Sequence, residues 1–176
     1  MADAPIRITP RGPLDIVQVA ALNDATETAR LLSKHFDLTI TPTPNRAAAA
    51  GELAVLWHGP GQWLIVRRPG KEAPLVDELT RVYGDDAAAV DLGHARTALR
   101  FEGEGARDLL AKGTSIDLRP THFAPSACAL TALGKIGALL HAVGPATIDV
   151  YVARSYAQAL VEWLEHAAPE VPTSSL

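Results

Sequence analysis

Apolar and polar residues alternate over eight short stretches of this chain. Between them the apolar spacing widens to the three-and-four rhythm of a helix. The alternating or continuous apolar runs LDIVQVAAL (14–22), ELAVLWH (52–58), QWLIVRR (62–68) and AAAVDL (87–92) predict strands, as do TALRFEG (97–103), ACALTAL (127–133), GALLHAV (137–143) and TIDVYVA (147–153). ATETARLLSKHF predicts a helix capped by Asp24. A second helix over 71–83 would carry Leu75, Val76, Leu79 and Val82 on one stripe. A third over 155–166 would carry Ala157, Leu160, Val161 and Leu164, with Ser155 as its cap. TPTPNRAAAAGE (41–52) reads as a loop. Residues 1–13 and PEVPTSSL (169–176) read as a loosely held arm and a tail around a single domain at 14–168.

The order of these elements repeats. Gly59-Pro60 stands 85 residues (144 − 59) before Gly144-Pro145. The same offset lays Ile65-Val66 on Val150-Tyr151 and LVDEL (75–79) on LVEWL (160–164). After a gap, TARLL (28–32) resembles GARDLL (105–110). The expected class is α+β: two interleaved β-α-β-β-β-α halves with antiparallel sheets, fused in one duplicated domain.

Composition narrows the partners. The 176 residues carry a net charge of −4. Nucleic acid needs clustered Lys and Arg to displace counterions, and Arg67-Arg68 is the nearest thing to such a patch, so no nucleic-acid partner is expected. The single cysteine, Cys128, lies in the apolar run SACALTAL and reads as a small core residue in a reducing compartment. No run nears the roughly 18 apolar residues of a membrane span, and the N-terminal stretch lacks a signal-peptide core, so the expectation is a soluble, cytoplasmic protein.

Candidate chemistry centres on GEGARD, Gly103 to Asp108. A glycine turn between strand and helix can cradle a phosphate, but the dinucleotide fingerprint needs a third glycine where Asp108 stands. Glu102 and Glu104 would repel the anion, and no Walker lysine follows. The turn reads as architecture: Gly103 ends the strand, Gly105 permits the turn, Glu104 suits a helix start, and Ala106, Leu109 and Leu110 begin a packing stripe. The histidines at 35, 58, 94, 122, 141 and 166 show no i,i+4 pair and no metal-ligand spacing with Cys128. His58 and His141, at strand ends, read as partly buried structural groups. His94 shares a loop with Asp91 and Arg96, which reads as a pinning ion pair. Ser155 lacks a nucleophile elbow, and Asp117 in SIDLRP should fix a turn before Pro120. Trp57, Trp63 and Trp163 are core candidates that would serve as interface anchors if exposed. No catalytic, cofactor-binding or metal-binding residue is assigned.

A family likeness rests on particular residues. They are Asp91-Leu92, Arg96-Thr97-Ala98-Leu99, Gly103, the run Gly105 to Gly113, Asp117-Leu118, Phe123, Ala129 and Thr131. To these is added GPATIDVYVARSYAQALVEWL with its Arg154-to-Ala157 element and closing Trp163-Leu164. This set, spread over about residues 53–167, resembles the gamma subunit of heterotetrameric sarcosine oxidase. Gly93 stands where such subunits carry serine. The resemblance implies a fold like the folate-binding domain of the glycine-cleavage aminomethyltransferase, which agrees with the duplication. It further implies a noncatalytic subunit of a complex that demethylates sarcosine to glycine and passes the one-carbon unit to tetrahydrofolate. FAD, FMN, NAD and tetrahydrofolate would belong to the partner subunits. The alpha subunit would be the direct partner, with beta and delta completing the complex. Two alternatives stay open: a stand-alone tetrahydrofolate-dependent aminomethyltransferase, and a gamma-type subunit serving another N-methyl amino acid. A subunit freed from its complex would expose an apolar patch larger than a few hundred Å².

Overall fold

The computed structural model describes residues 6–70 and 73–169; the expectations for 1–5 and 170–176 lie outside them. The chain forms two compact units, one from Pro13 to His94 and the other from the residues before and after that stretch.

The first unit is one antiparallel sheet with two helices. Its strands are β2 (Asp15–Ala21), β3 (Ala47–Ala50), β4 (Leu53–Gly59), β5 (Gln62–Arg67) and β6 (Ala87–Asp91), in the order β3-β4-β5-β2-β6. Helix α1 (Ala25–Phe36) begins where Asp24 Oδ1 accepts the Thr26 N–H at 2.8 Å. It ends at Asp37, whose left-handed backbone (φ 52°) stops the helix. Helix α2 (Leu75–Tyr83) buries Leu75, Leu79 and Tyr83. These pack with Val17, Val19, Val55, Trp63, Ile65 and Leu32 in one cluster, each fully buried aliphatic contributing about 1.5–3 kcal/mol. Val82, expected on this stripe, is 36% exposed. The stripe centres on Leu79 and Tyr83, so Val82 falls at its margin.

The second unit repeats the plan. Its strands are β1 (Arg7–Pro10), β7 (Arg96–Glu102), β8 (Cys128–Leu133), β9 (Ile136–Gly144) and β10 (Thr147–Ala153), in the order β1-β7-β10-β9-β8. Helices α3 (Ala106–Ala111) and α4 (Ala157–Ala167) cover one face. Leu109, Leu110, Leu160 and Leu164 pack there against Phe101, Leu140, Ile148, Val150 and Val152.

The two strand orders match term by term when the first is read backwards, and the detail extends to a bulge. In β4–β5, Gly59 pairs with Gln62 and Trp57 with Trp63, skipping His58. In β9–β10, Gly144 pairs with Thr147 and Ala142 with Ile148, skipping Val143. Every one of these positions is displaced by 85 (144 − 59, 148 − 63). The halves are also interleaved. β1 precedes β2 in the chain but pairs with β7, whereas β6 precedes β7 but pairs with β2.

Three local expectations are corrected. Residues 47–50, read as loop, form edge strand β3: four alanines show no alternation, and pairing with β4 makes the strand instead. Arg7–Pro10, read as part of a loose arm, is a strand held by β7, with Pro10 at an edge where its missing N–H is tolerated. Ser155 caps nothing. It lies inside a 3-10 turn (Arg154–Tyr156) that moves the start of α4 to Ala157, where no side chain caps the helix.

Candidate functional site

The glycine turn after β7 is closed on itself. Gly103 takes a positive φ of 111° that favours glycine, whereas Gly105 is ordinary right-handed helix at −78°. The conformational demand therefore falls on the first glycine, not the second as expected. The Gly103 N–H donates to Ala146 O at 3.0 Å, and Gly103 O accepts the Ala106 N–H at 3.1 Å. The amide on which a phosphate would have to sit is already paired.

Beyond the turn stands a buried arginine that sequence reasoning passed over. Arg107 is 7% exposed. Its Nε donates to Pro145 O at 2.7 Å, Nη1 to Leu118 O at 2.6 Å and Phe123 O at 2.8 Å, and Nη2 to Gly144 O at 3.2 Å. Four carbonyl dipoles thus solvate the guanidinium, which no carboxylate among the described residues reaches, and burial lowers its pKa from the usual arginine value. One side chain ties α3 to the 118–123 loop and to the β9–β10 turn. The only sequence signal was an arginine set between Ala106 and the apolar pair Leu109-Leu110.

Beside this clamp lies a cavity of about 520 Å³. Ala111, Ile116, Leu118, Pro120 and Pro145 give it apolar walls, and Glu104, Asp108 and Asp117 add carboxylates. Asp117 closes its turn as expected: Oδ1 accepts the Arg119 N–H at 3.0 Å and Arg119 Nε at 2.9 Å. Those bonds hold its carboxyl well below the usual range. Arg107 and Arg119 also line it, each bonded to protein oxygens.

A second polar group lies on the face of the same sheet opposite α3 and α4. Cross-strand register sets Cys128, His141, Asp149, Arg100 and Thr9 in one row across β8, β9, β10, β7 and β1. Asp149 is 1% exposed and held by two cations. Arg100 reaches it through Nε at 2.7 Å and Nη2 at 2.9 Å, and Arg11 through Nη1 at 2.7 Å. Arg11 also donates to the Tyr151 hydroxyl at 3.2 Å. The bond to Asp149 raises the Arg100 pKa, and burial raises that of Tyr151. His141 Nδ1 is buried with no hydrogen-bond partner, and burial pushes its pKa down to about 4. Cysteine, histidine and aspartate in one row suggest a nucleophile, a base and an orienting carboxylate. Here, however, Cys128 is fully buried and the aspartate oxygens are committed to arginines. Within the row, Asp149 and Arg100 join with Arg11 in an ion network across β10 and β7.

Asp91 Oδ1 accepts the Gly93 N–H at 2.8 Å, closing the turn that holds His94. Trp63 is core and donates Nε1 to Thr41 O at 3.3 Å. Trp163 lies over two glycines, and a Cβ at Gly113 or Gly134 would come within 2.5 Å of its ring. Trp57 is half-buried on β4. The exposed large apolar side chains are Leu22, Val82 and Val90 in the first unit and Leu130, Val143 and Tyr156 in the second. Among the described residues no group of His, Cys, Asp and Glu could hold a metal ion, and no helix is long and apolar enough to cross a membrane.

Comparison with known proteins places this scaffold. The structure is similar to a chain of the heterotetrameric sarcosine oxidase from Corynebacterium sp. U-96 in complex with pyrrole 2-carboxylate. The TM-score is 0.85 at 23% identity, covering 97% of this chain and 87% of that one. It is also similar to the glycine cleavage system aminomethyltransferase T from Bartonella henselae, with a TM-score of 0.69 at 14% identity over 95% of this chain and 47% of the other. These two likenesses show the fold, and the second matches the expected folate-binding-domain architecture. In sequence, the chain is 33% identical over 118 residues to the sarcosine oxidase subunit gamma of Corynebacterium sp. (strain P-1), covering 66% of this chain and 57% of that protein. It is 32% identical over 125 residues to the subunit gamma of an Arthrobacter species, covering 70% and 61%. The matches therefore span about three-fifths of those relatives' length. The model of the sarcosine oxidase, gamma subunit family matches residues 22–170. With most of its length inside that match, the chain belongs to the sarcosine oxidase gamma subunit family.

Proposed function

We propose that this chain is the noncatalytic gamma subunit of a cytoplasmic sarcosine oxidase complex. In that complex sarcosine is oxidatively demethylated to glycine and its one-carbon unit is passed to tetrahydrofolate. FAD, FMN, NAD and tetrahydrofolate belong to the partner subunits, and this chain packs directly against alpha. The family match over residues 22–170 carries the reading. The hydrogen bonds that tie Arg107 to backbone carbonyls and Asp149 to Arg100 and Arg11 support it. The test is to express the four subunits with and without this chain, then compare assembly and sarcosine turnover. Loss of the intact complex and of turnover is expected. An unchanged complex turning over at an unchanged rate overturns the proposal.

A further inference from the structure

The cavity beside α3 has charges the fold does not use. Arg107 spends four of its five N–H donors on backbone carbonyls, and Asp117 is matched by Arg119 with His122 Nδ1 at 3.4 Å. Glu104 and Asp108 remain: both are exposed, and neither makes a hydrogen bond or ion pair among the described residues. Between them and the apolar walls of Ile116, Leu118 and Pro145 lies a space of about 520 Å³. That volume suits a few side chains of a peptide segment. An apolar wall with two unmatched carboxylates is complementary to an apolar segment that carries a basic residue.

We propose that this cavity is the docking site for a partner-subunit segment, whose apolar side chain fills the space and whose lysine or arginine pairs with Glu104 and Asp108. The proposal rests on the subunit reading and gives it a surface. It names the second unit's α3 edge, built from Gly103 to Ala111, the 116–120 loop and the β9–β10 turn, as a place where the complex is held together.

Two measurements test it, the first on the chain co-expressed with its alpha, beta and delta partners and the second on that complex and on the full chain alone. The first compares wild type with E104K/D108K and with D85K/D86K, which makes an equal charge change in the other unit on exposed residues. Association should weaken about tenfold or more for the first variant and stay at the wild-type value for the second. The second measurement needs no charge change. Ala111 lines the cavity and is exposed, and the native Cys128 is buried, so A111C offers one reactive thiol. Maleimide should label A111C in the isolated chain and at least about tenfold more slowly in the complex. Equal association of both charge variants, or equal labelling of A111C free and assembled, overturns the docking site while leaving the subunit reading intact. Failure of the wild-type chain to assemble overturns the subunit reading, and the docking site falls with it.

Discussion

Replacing Arg107 by methionine keeps the volume of the side chain and removes its donors. Four carbonyls then lose a partner. Those of Pro145 and Gly144 are part-buried, Pro145 lines the cavity, and water can reach both. Those of Leu118 and Phe123 are buried, and each buried acceptor left unpaired costs about 1–3 kcal/mol. Relief of the buried charge returns part of this, so the net loss works out at about 3 kcal/mol. For a chain of this size that lowers Tm by about 6–12 °C. Urea and thermal unfolding, followed by far-UV circular dichroism and by tryptophan fluorescence, measure it. R107K should recover no more than about half, because a single ammonium cannot span four acceptors held by a planar fork. An R107M protein within about 0.5 kcal/mol of wild type would refute the clamp.

Stability should also depend on pH through His141. Its folded pKa, near 4, lies below the ordinary 6.5, so the unfolded chain binds the proton more readily. The contribution is fully present above about pH 6.5 and is lost as pH falls to about 4, amounting to about 3 kcal/mol. Unfolding free energies of wild type and H141Q across that window check it, and a slope as steep in H141Q as in wild type contradicts it. Gly134→Ala adds a methyl at a φ of 54° and within 2.5 Å of Trp163. A loss of about 2–4 kcal/mol is expected, with the tryptophan displaced, whereas Gly51→Ala, at a φ of 57° in the matching hairpin with open space around it, should lose only about 1–2 kcal/mol. Equal losses at the two sites would show that the Trp163 contact adds nothing.

Much of the architecture was legible because alternation is a local signal. All eight expected strands form, and the 85-residue register survives down to the bulges that skip His58 and Val143. Strand β3 was hidden because AAAA has no alternation to read, and β1 because a short segment at an edge is held by its neighbour instead of its own residues. The candidate site was less legible for a different reason. The partners of Arg107 are backbone carbonyls brought in by two separate turns, which leave no mark in the spelling of the sequence. The Cys128-to-Thr9 row exists only once five strands are in register. Within GEGARD, the chemistry of the turn was readable, but which glycine bears the strain depended on dihedral angles.

On the proposed function, the duplicated folding unit is a structural subunit that carries no cofactor. Native mass spectrometry of the assembled complex, with this chain ejected in the gas phase, tests that most directly. One copy per assembly, leaving at its bare mass of 18.6 kDa, is expected. A copy that leaves carrying a flavin or a folate, or an assembly that forms without it, would overturn the structural role.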